Sequence, residues 1–214
     1  MNYHNITYPD MNNGEGLRVV LWLSGCSHKC RGYQNPQTWK ADSGILFDES
    51  AKEELFRELD KDYISGLTLT GGDPLFEENL DDVLELVTKV NKRYNRPQHI
   101  DDRDKENNNI LADNVNRIRL SCPQKTIWLY TGYTWEECEP FKKRDPLDPE
   151  KFMPNLQALL KKRYKIISQC HVLIDGRYID SQRDITLAYR GSKNQRIIDI
   201  QKSLQKGEIV LWQT

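Results

Sequence analysis

Cys26 and Cys30 stand with three residues between them in the segment SGCSHKCRGYQNPQTW, residues 24–39. Two thiolates at this spacing on a glycine-flanked loop can converge on one soft metal centre. The residues alone leave three other readings open. The thiols can be incidental, because short spacings arise easily. They can hold zinc together with His28 or His4, although no second ligand pair at zinc-like spacing is present. They can form a redox dithiol, although that chemistry normally uses a two-residue spacing at the start of a helix. A second chemical feature is Thr70-Gly71-Gly72-Asp73-Pro74. Paired glycines let a backbone approach a ligand closely, and Pro74 suits the start of a helix. An ordinary strand-to-helix turn explains the same residues. Thr131-Gly132-Tyr133 and Asp175-Gly176 can likewise be simple turns or ligand-facing loops. Asn13-Gly14-Glu15-Gly16, ahead of Arg18, reads as a tight turn.

These residues need elements to position them. Leu17 to Ser24, Gly66 to Thr70, Thr126 to Thr131 and Val172 to Ile174 have the β-branched and aromatic content of buried strands. Ile209 to Trp212 is a fifth candidate. Ala51, Leu55, Phe56 and Leu59 repeat at helical spacing, with Asp48 or Ser50 as the cap. Leu80, Val83, Leu84, Val87 and Val90 predict a second helix, and Met153 to Arg163 a third. Strands alternating with helices point to βαβ units and a mainly parallel sheet with helices outside. Such sheets bind ligands at the carboxyl ends of their strands, which is where the cysteine loop and the glycine pair fall. Trp22, Trp39 and Trp128 are expected in the core.

The chain has 214 residues, with 31 Lys+Arg against 32 Asp+Glu and a formal net charge of -1. That length suits a single domain over 1–214, carrying a polar insertion at about 95–122 and a variable connection at about 136–152. Val115, Ile118 and Leu120 would place a short helix in the first of these. The balanced charge argues against nucleic acid or an anionic membrane surface as partner. No apolar run approaches the ~18 residues of a membrane span. The opening MNYHNITYPD lacks the basic and apolar regions of a secretory signal. Five cysteines, Cys26, Cys30, Cys122, Cys138 and Cys170, make an odd count that fits a reducing cytoplasm.

Five blocks, in order, carry a family resemblance: NGEGLRVVLWLSGCSHKCRGYQNPQTW, YISGLTLTGGDPLF, KTIWLYTGYTWEE, VLIDGRYI and RGSKNQRIIDIQKSLQKGEIVLW. The chain resembles the anaerobic ribonucleoside-triphosphate reductase activating proteins, which are radical S-adenosylmethionine (SAM) enzymes. The resemblance implies an α/β partial (βα) barrel. It also implies a [4Fe-4S] cluster held by a C-x3-C-x2-C loop, with the open iron taking SAM. Cys26 and Cys30 match the first two ligands. By the same resemblance Gly71, Gly72 and Asp73 meet the amino end of SAM, and Gly32, Tyr33 and Gln34 lie near its adenine. Arg190-Gly191-Ser192 and Asn194-Gln195 would border a partner-facing side. The implied reaction is reductive cleavage of SAM, fed by a flavodoxin-like electron donor. It creates a glycyl radical on the large subunit of the reductase.

The third ligand position holds Tyr33 instead of cysteine. Iron in such clusters prefers soft thiolates, whereas a phenol must shed a proton with a reference pKa of about 10 and offers a hard oxygen on a rigid ring. This departure predicts weak cluster binding. It sets up an alternative: a cluster-deficient relative that binds the reductase without activating it.

Overall fold

The computed structural model describes residues 1–95, 124–140 and 153–213. Most of the polar insertion, including Val115, Ile118, Leu120 and Cys122, lies outside the described residues, as does most of the 136–152 connection. The strands are β1 (Asn2–Asp10), β2 (Leu17–Leu23), β3 (Ile45–Leu46), β4 (Ile64–Gly71), β5 (Thr126–Tyr130), β6 (Val172–Asp175) and β7 (Arg196–Asp199). They form one sheet in the order β3-β1-β2-β4-β5-β6-β7. The pairs β2/β4, β4/β5 and β5/β6 are parallel. The flanking pairs β1/β2, β1/β3 and β6/β7 are antiparallel. The sheet is therefore mixed, and parallel only in its middle.

Alternation at a period of two assigns each face. Val19, Leu21 and Leu23 of β2, Leu67 and Leu69 of β4, and Ile127 and Leu129 of β5 join the main apolar cluster. Helices α1 (Glu49–Leu59), α2 (Leu80–Val90), the one-turn α3 (Trp135–Cys138) and α4 (Pro154–Ile167) supply the other side of that cluster with Leu55, Leu59, Val83, Val87, Trp135, Ile166 and Ile167. The opposite face carries Arg18, Thr68, Thr70 and Trp128, all buried. Among the described residues, no carboxylate forms an ion pair with Arg18 there. Its guanidinium donates to the carbonyls of Leu67 at 2.6 Å and Thr126 at 2.9 Å and to the Thr68 hydroxyl at 2.6 Å, and it lies 5.3 Å from the Trp128 ring centroid. Burial pulls its pKa down to about 9.

Two sequence expectations change. Ile209 to Trp212 is not a strand: Leu211 makes a single bridge to Ile198 and is itself exposed. After the short helix α5 (Ile200–Lys206), which ends at Gly207 with φ 71°, the run touches the outer edge of β7 through only two backbone hydrogen bonds, Asp199 N to Val210 O at 2.9 Å and Trp212 N to Ile197 O at 2.8 Å. The third helix extends past Arg163 to Ile167, which puts Ile166 and Ile167 into the core. At α1 the expected cap is present, with the Asp48 carboxylate accepting the Ala51 amide at 3.0 Å. Asp48→Ala is expected to cost about 1 kcal/mol, read as a shift in urea midpoint with an unchanged slope.

Candidate functional site

Parallel register sets the carboxyl ends of β2, β4 and β5 side by side, with Leu23 opposite Gly71 and Leu69 opposite Leu129. The backbone then stitches the cysteine loop to the glycine turn. Gly72 N donates to Leu23 O and Asp73 N to Gly25 O, both at 2.7 Å, and the Asn79 amide donates to Ser24 O at 2.7 Å. The ends of the loop pin each other, with Gly25 N donating to Thr38 O at 2.8 Å and Cys26 N to Trp39 O at 2.9 Å. This close contact explains the glycine pair. A Cβ on Gly72 would lie 2.5 Å from Gly25 O, and Gly71 has φ +99° with its Cβ position 2.7 Å from Leu23 N. The near backbone that requires glycine is the chain's own.

Asp73 is the hub. Its carboxylate is 2% exposed and accepts the Thr131 hydroxyl at 2.9 and 3.0 Å, Gly132 N at 2.9 Å and Leu75 N at 2.8 Å. It thereby ties the turn after β4 to the turn after β5. His28, from the middle of the cysteine loop, inserts beside it. The imidazole is only 3% exposed, and its Nε2 lies 3.1 Å from Asp73 Oδ2. The direction is wrong for a hydrogen bond, so Nε2 remains buried without a hydrogen-bond partner. The ring stands edge-on to Tyr133, centroids 4.3 Å apart. Behind Tyr133, Arg163 of α4 lies 3.8 Å over the ring and donates to its hydroxyl at 2.7 Å.

Gly132 makes room for His28: a Cβ there would come within 2.3 Å of His28 Cδ2. Gly132→Ala must therefore displace the imidazole or the loop that carries it. The expected cost is about 2 kcal/mol in urea unfolding. In the double variant Gly132→Ala/His28→Ala the glycine change should cost distinctly less than it does alone. Strict additivity of the two changes would refute this steric pairing.

Cys26, Cys30, Gly32, Tyr33, Gln34, Gly71, Gly72 and Asp73 all line one open cavity of about 880 Å³. These eight residues thus share one cavity, whereas Pro74, Tyr133 and Asp175 from the same turns do not line it. Trp22 and Trp39 line it too and are half-buried, so of the three tryptophans expected in the core only Trp128 is fully enclosed. Gly191 and Gln195 reach the far wall, where the Gln195 carboxamide oxygen accepts Gly191 N at 3.0 Å. His28 as the loop's anchor was missed in sequence: a lone loop histidine carries no periodic signal of burial. Burial, and then the charge of Asp73, push the Cys26 thiol up to about 11. Cys138 and Cys170 are fully buried members of the main apolar cluster and do not line the cavity.

Comparison with known proteins decides the family. A family model described as a 4Fe-4S single cluster domain matches residues 12–101 and 104–198. The anaerobic ribonucleoside-triphosphate reductase-activating protein of Enterobacteria phage T4 is 34% identical over 92% of this chain and 93% of its own length. Its namesake in Escherichia coli K12 is 30% identical over 91% of this chain and 96% of its own, and that of Vibrio cholerae 34% over 92% and 97%. The chain belongs to this family of reductase-activating proteins.

Membership raises the question of whether the residues present fit a cluster. Two thiols reach the cavity wall, and the third position presents a phenol. The Tyr33 hydroxyl donates to Gly71 O at 3.0 Å. Burial, followed by the neighbouring Cys26 and Asp73, pushes its pKa up to about 12, so it stands as a neutral donor. Among the described residues, no group of three or more His, Cys, Asp or Glu side chains is placed to hold a metal ion. As folded, the loop does not fit a three-thiolate cluster.

Proposed function

We propose that this chain serves an anaerobic ribonucleoside-triphosphate reductase as its activating protein, working in the cytoplasm with neither nucleic acid nor membrane as partner. Convergence carries the reading. The cysteine loop, the Gly71-Gly72-Asp73 turn and the Thr131-Gly132 turn of a family member border one open cavity at the carboxyl ends of parallel strands. We take the sheet as a partial (βα) barrel of the radical SAM type. SAM would lie with its adenine beside Gly32, Tyr33 and Gln34 and its amino end towards Gly71 and Gly72. Asp73, saturated by the chain's own donors, holds that turn in place. The open mouth leaves access for a segment of the large reductase subunit. In a chain with three loop thiolates, a [4Fe-4S] cluster fed by a flavodoxin-like donor would supply the electron for SAM cleavage. The residues of this chain account for binding, orientation and docking.

The test is anaerobic mixing with a class III reductase large subunit, SAM and a reductant, followed by affinity capture and electron paramagnetic resonance. Capture together with a glycyl radical signal is expected for an activating protein. Absence of capture would remove the reading. The Tyr33–Gly71 hydrogen bond favours a second reading, a cluster-deficient member that binds the reductase without activating it. For that reading the wild-type chain is captured and stays radical-silent, whereas Tyr33→Cys gains the signal. A radical from the wild-type chain would exclude it.

A further inference from the structure

The cysteine loop is held in two ways. Its ends are pinned by the amides of Gly25 and Cys26, but its middle, residues 27–35, depends on side chains. His28 secures the part next to Cys26. Tyr33 secures the part next to Cys30: its amide donates to Cys30 O at 3.2 Å, and its hydroxyl reaches across to Gly71 O at 3.0 Å. The Thr38 hydroxyl lies 3.0 Å from that same oxygen but 2.8 Å from Asn35 O, and its one proton serves only one of them at a time. The Tyr33 ring lies against Tyr178 with centroids 6.3 Å apart. Around it Arg31, Gly32 and Gln34 are exposed, so Tyr33 is the inward anchor of an outward-facing stretch.

We propose that Tyr33 is a latch: its hydroxyl, bonded to Gly71 O, closes the Cys30 side of the loop over the end of β4 and so preforms the cavity without metal. In a three-thiolate relative a bond from the third ligand to iron would tether this part of the loop. Here a hydrogen bond within the chain does so. The inference rests on the cluster-deficient reading and deepens it, because a chain that needs no iron to order its loop can present its cavity to the reductase in the iron-free state. It concerns the mechanics of the loop and no redox step.

The test uses the metal-free full chain. Alkylation by iodoacetamide is followed residue by residue with peptide mass mapping. Tyr33→Phe keeps the ring and removes the hydroxyl, and Cys30 is expected to react about fivefold faster than in wild type, the worth of one ordinary hydrogen bond. Cys138 and Cys170 should stay unreactive in both, which separates loop opening from general unfolding. Equal Cys30 rates in a folded Tyr33→Phe chain would overturn the latch. Hydrogen exchange on the wild-type chain is the second measurement, and it does not depend on any variant. The Tyr33 amide, bonded to Cys30 O, should be protected in the absence of metal, and free exchange there would also overturn the proposal. Iron analysis after anaerobic reconstitution with iron and sulfide adds a further arm. Tyr33→Cys should carry about four irons per chain and wild type far fewer. A full four-iron complement in wild type would mean that the latch yields to metal, and would refute it. Capture of the reductase by the metal-free wild-type chain reports separately on the reading beneath the proposal. Slow Cys30 alkylation without capture leaves the latch standing and removes the reductase reading. Capture with equal alkylation rates does the reverse.

Discussion

Asp73→Ala is expected to lower the stability of the chain by about 4 kcal/mol, since it strands several buried donors at once. The carboxylate accepts the amides of Leu75 and Gly132 and the hydroxyl of Thr131 at 2.8–3.0 Å, all within the cavity wall and its supports. Truncation leaves those groups without an acceptor, and each unsatisfied buried donor costs ~1–3 kcal/mol. Asp73→Asn keeps the shape and one acceptor oxygen but turns an N–H face towards groups that are themselves donors. About half the loss is expected for it. Urea unfolding followed by tryptophan fluorescence measures both. A change below ~1 kcal/mol in the alanine variant would show that the hub is not what joins the two turns.

The consequence for function follows from which turns are joined. Asp73 holds the Gly71-Gly72 turn to the Thr131-Gly132 turn, and His28 of the cysteine loop leans on the same carboxylate at 3.1 Å. Loss of the hub should loosen three sides of the cavity together. Asp73 acts by positioning, with its oxygens turned to the chain's own donors rather than left free for a ligand.

How much of this was legible in the sequence varies by element. The central strands β2, β4, β5 and β6 were visible because burial on both faces leaves short apolar runs bounded by turn residues. β1 was not, because NYHNITYPD buries only Tyr3 and Ile6 and spends its other positions on solvent or the sheet edge. Nor was β7, whose four residues, Arg196–Asp199, give too short a pattern. In the site, chain order placed the cysteine loop and the glycine turn correctly at neighbouring strand ends. What spacing could not give was contact. Gly71 and Gly72 signalled close approach, but that they approach Leu23 and Gly25 depends on the parallel register. Tyr33 was readable as the wrong ligand. Its bond to Gly71 O joins residues 38 apart in sequence, and no local pattern records it.

Arg196→Met is expected to cost about 3 kcal/mol at neutral pH, through a charge left buried rather than through lost packing. Arg196 on β7 donates from Nε to Asp175 Oδ1 at 3.0 Å and from Nη2 to Asp175 Oδ2, while Nη1 and Nη2 reach Glu136 at 3.0 and 2.7 Å. The Asp175 carboxylate is 1% exposed and keeps only the Trp135 amide, at 2.8 Å, once the guanidinium is gone. Glu136, more than half exposed, is held down to about 2 chiefly by its hydrogen bonds from Arg196. Its folded value lies below its unfolded one, so its share of stability is complete above about 4.5 and is lost as pH falls towards about 2. Solvent screening keeps that share small. In the methionine variant Glu136 loses the cause of its depression. Wild type should therefore lose somewhat more stability than the variant between pH 6 and pH 3, and the gap between them should narrow. Paired urea melts at the two pH values measure this, and a gap that stays constant would show that the ion cluster is not the source of the cost. The clamp also supports the far wall of the cavity. Gly176, directly after Asp175, accepts the Gln195 carboxamide at 3.1 Å, and Arg190 donates to Gln195 O at 2.9 Å. Weakening Arg196 should thus reach Arg190-Gly191-Ser192 through that network.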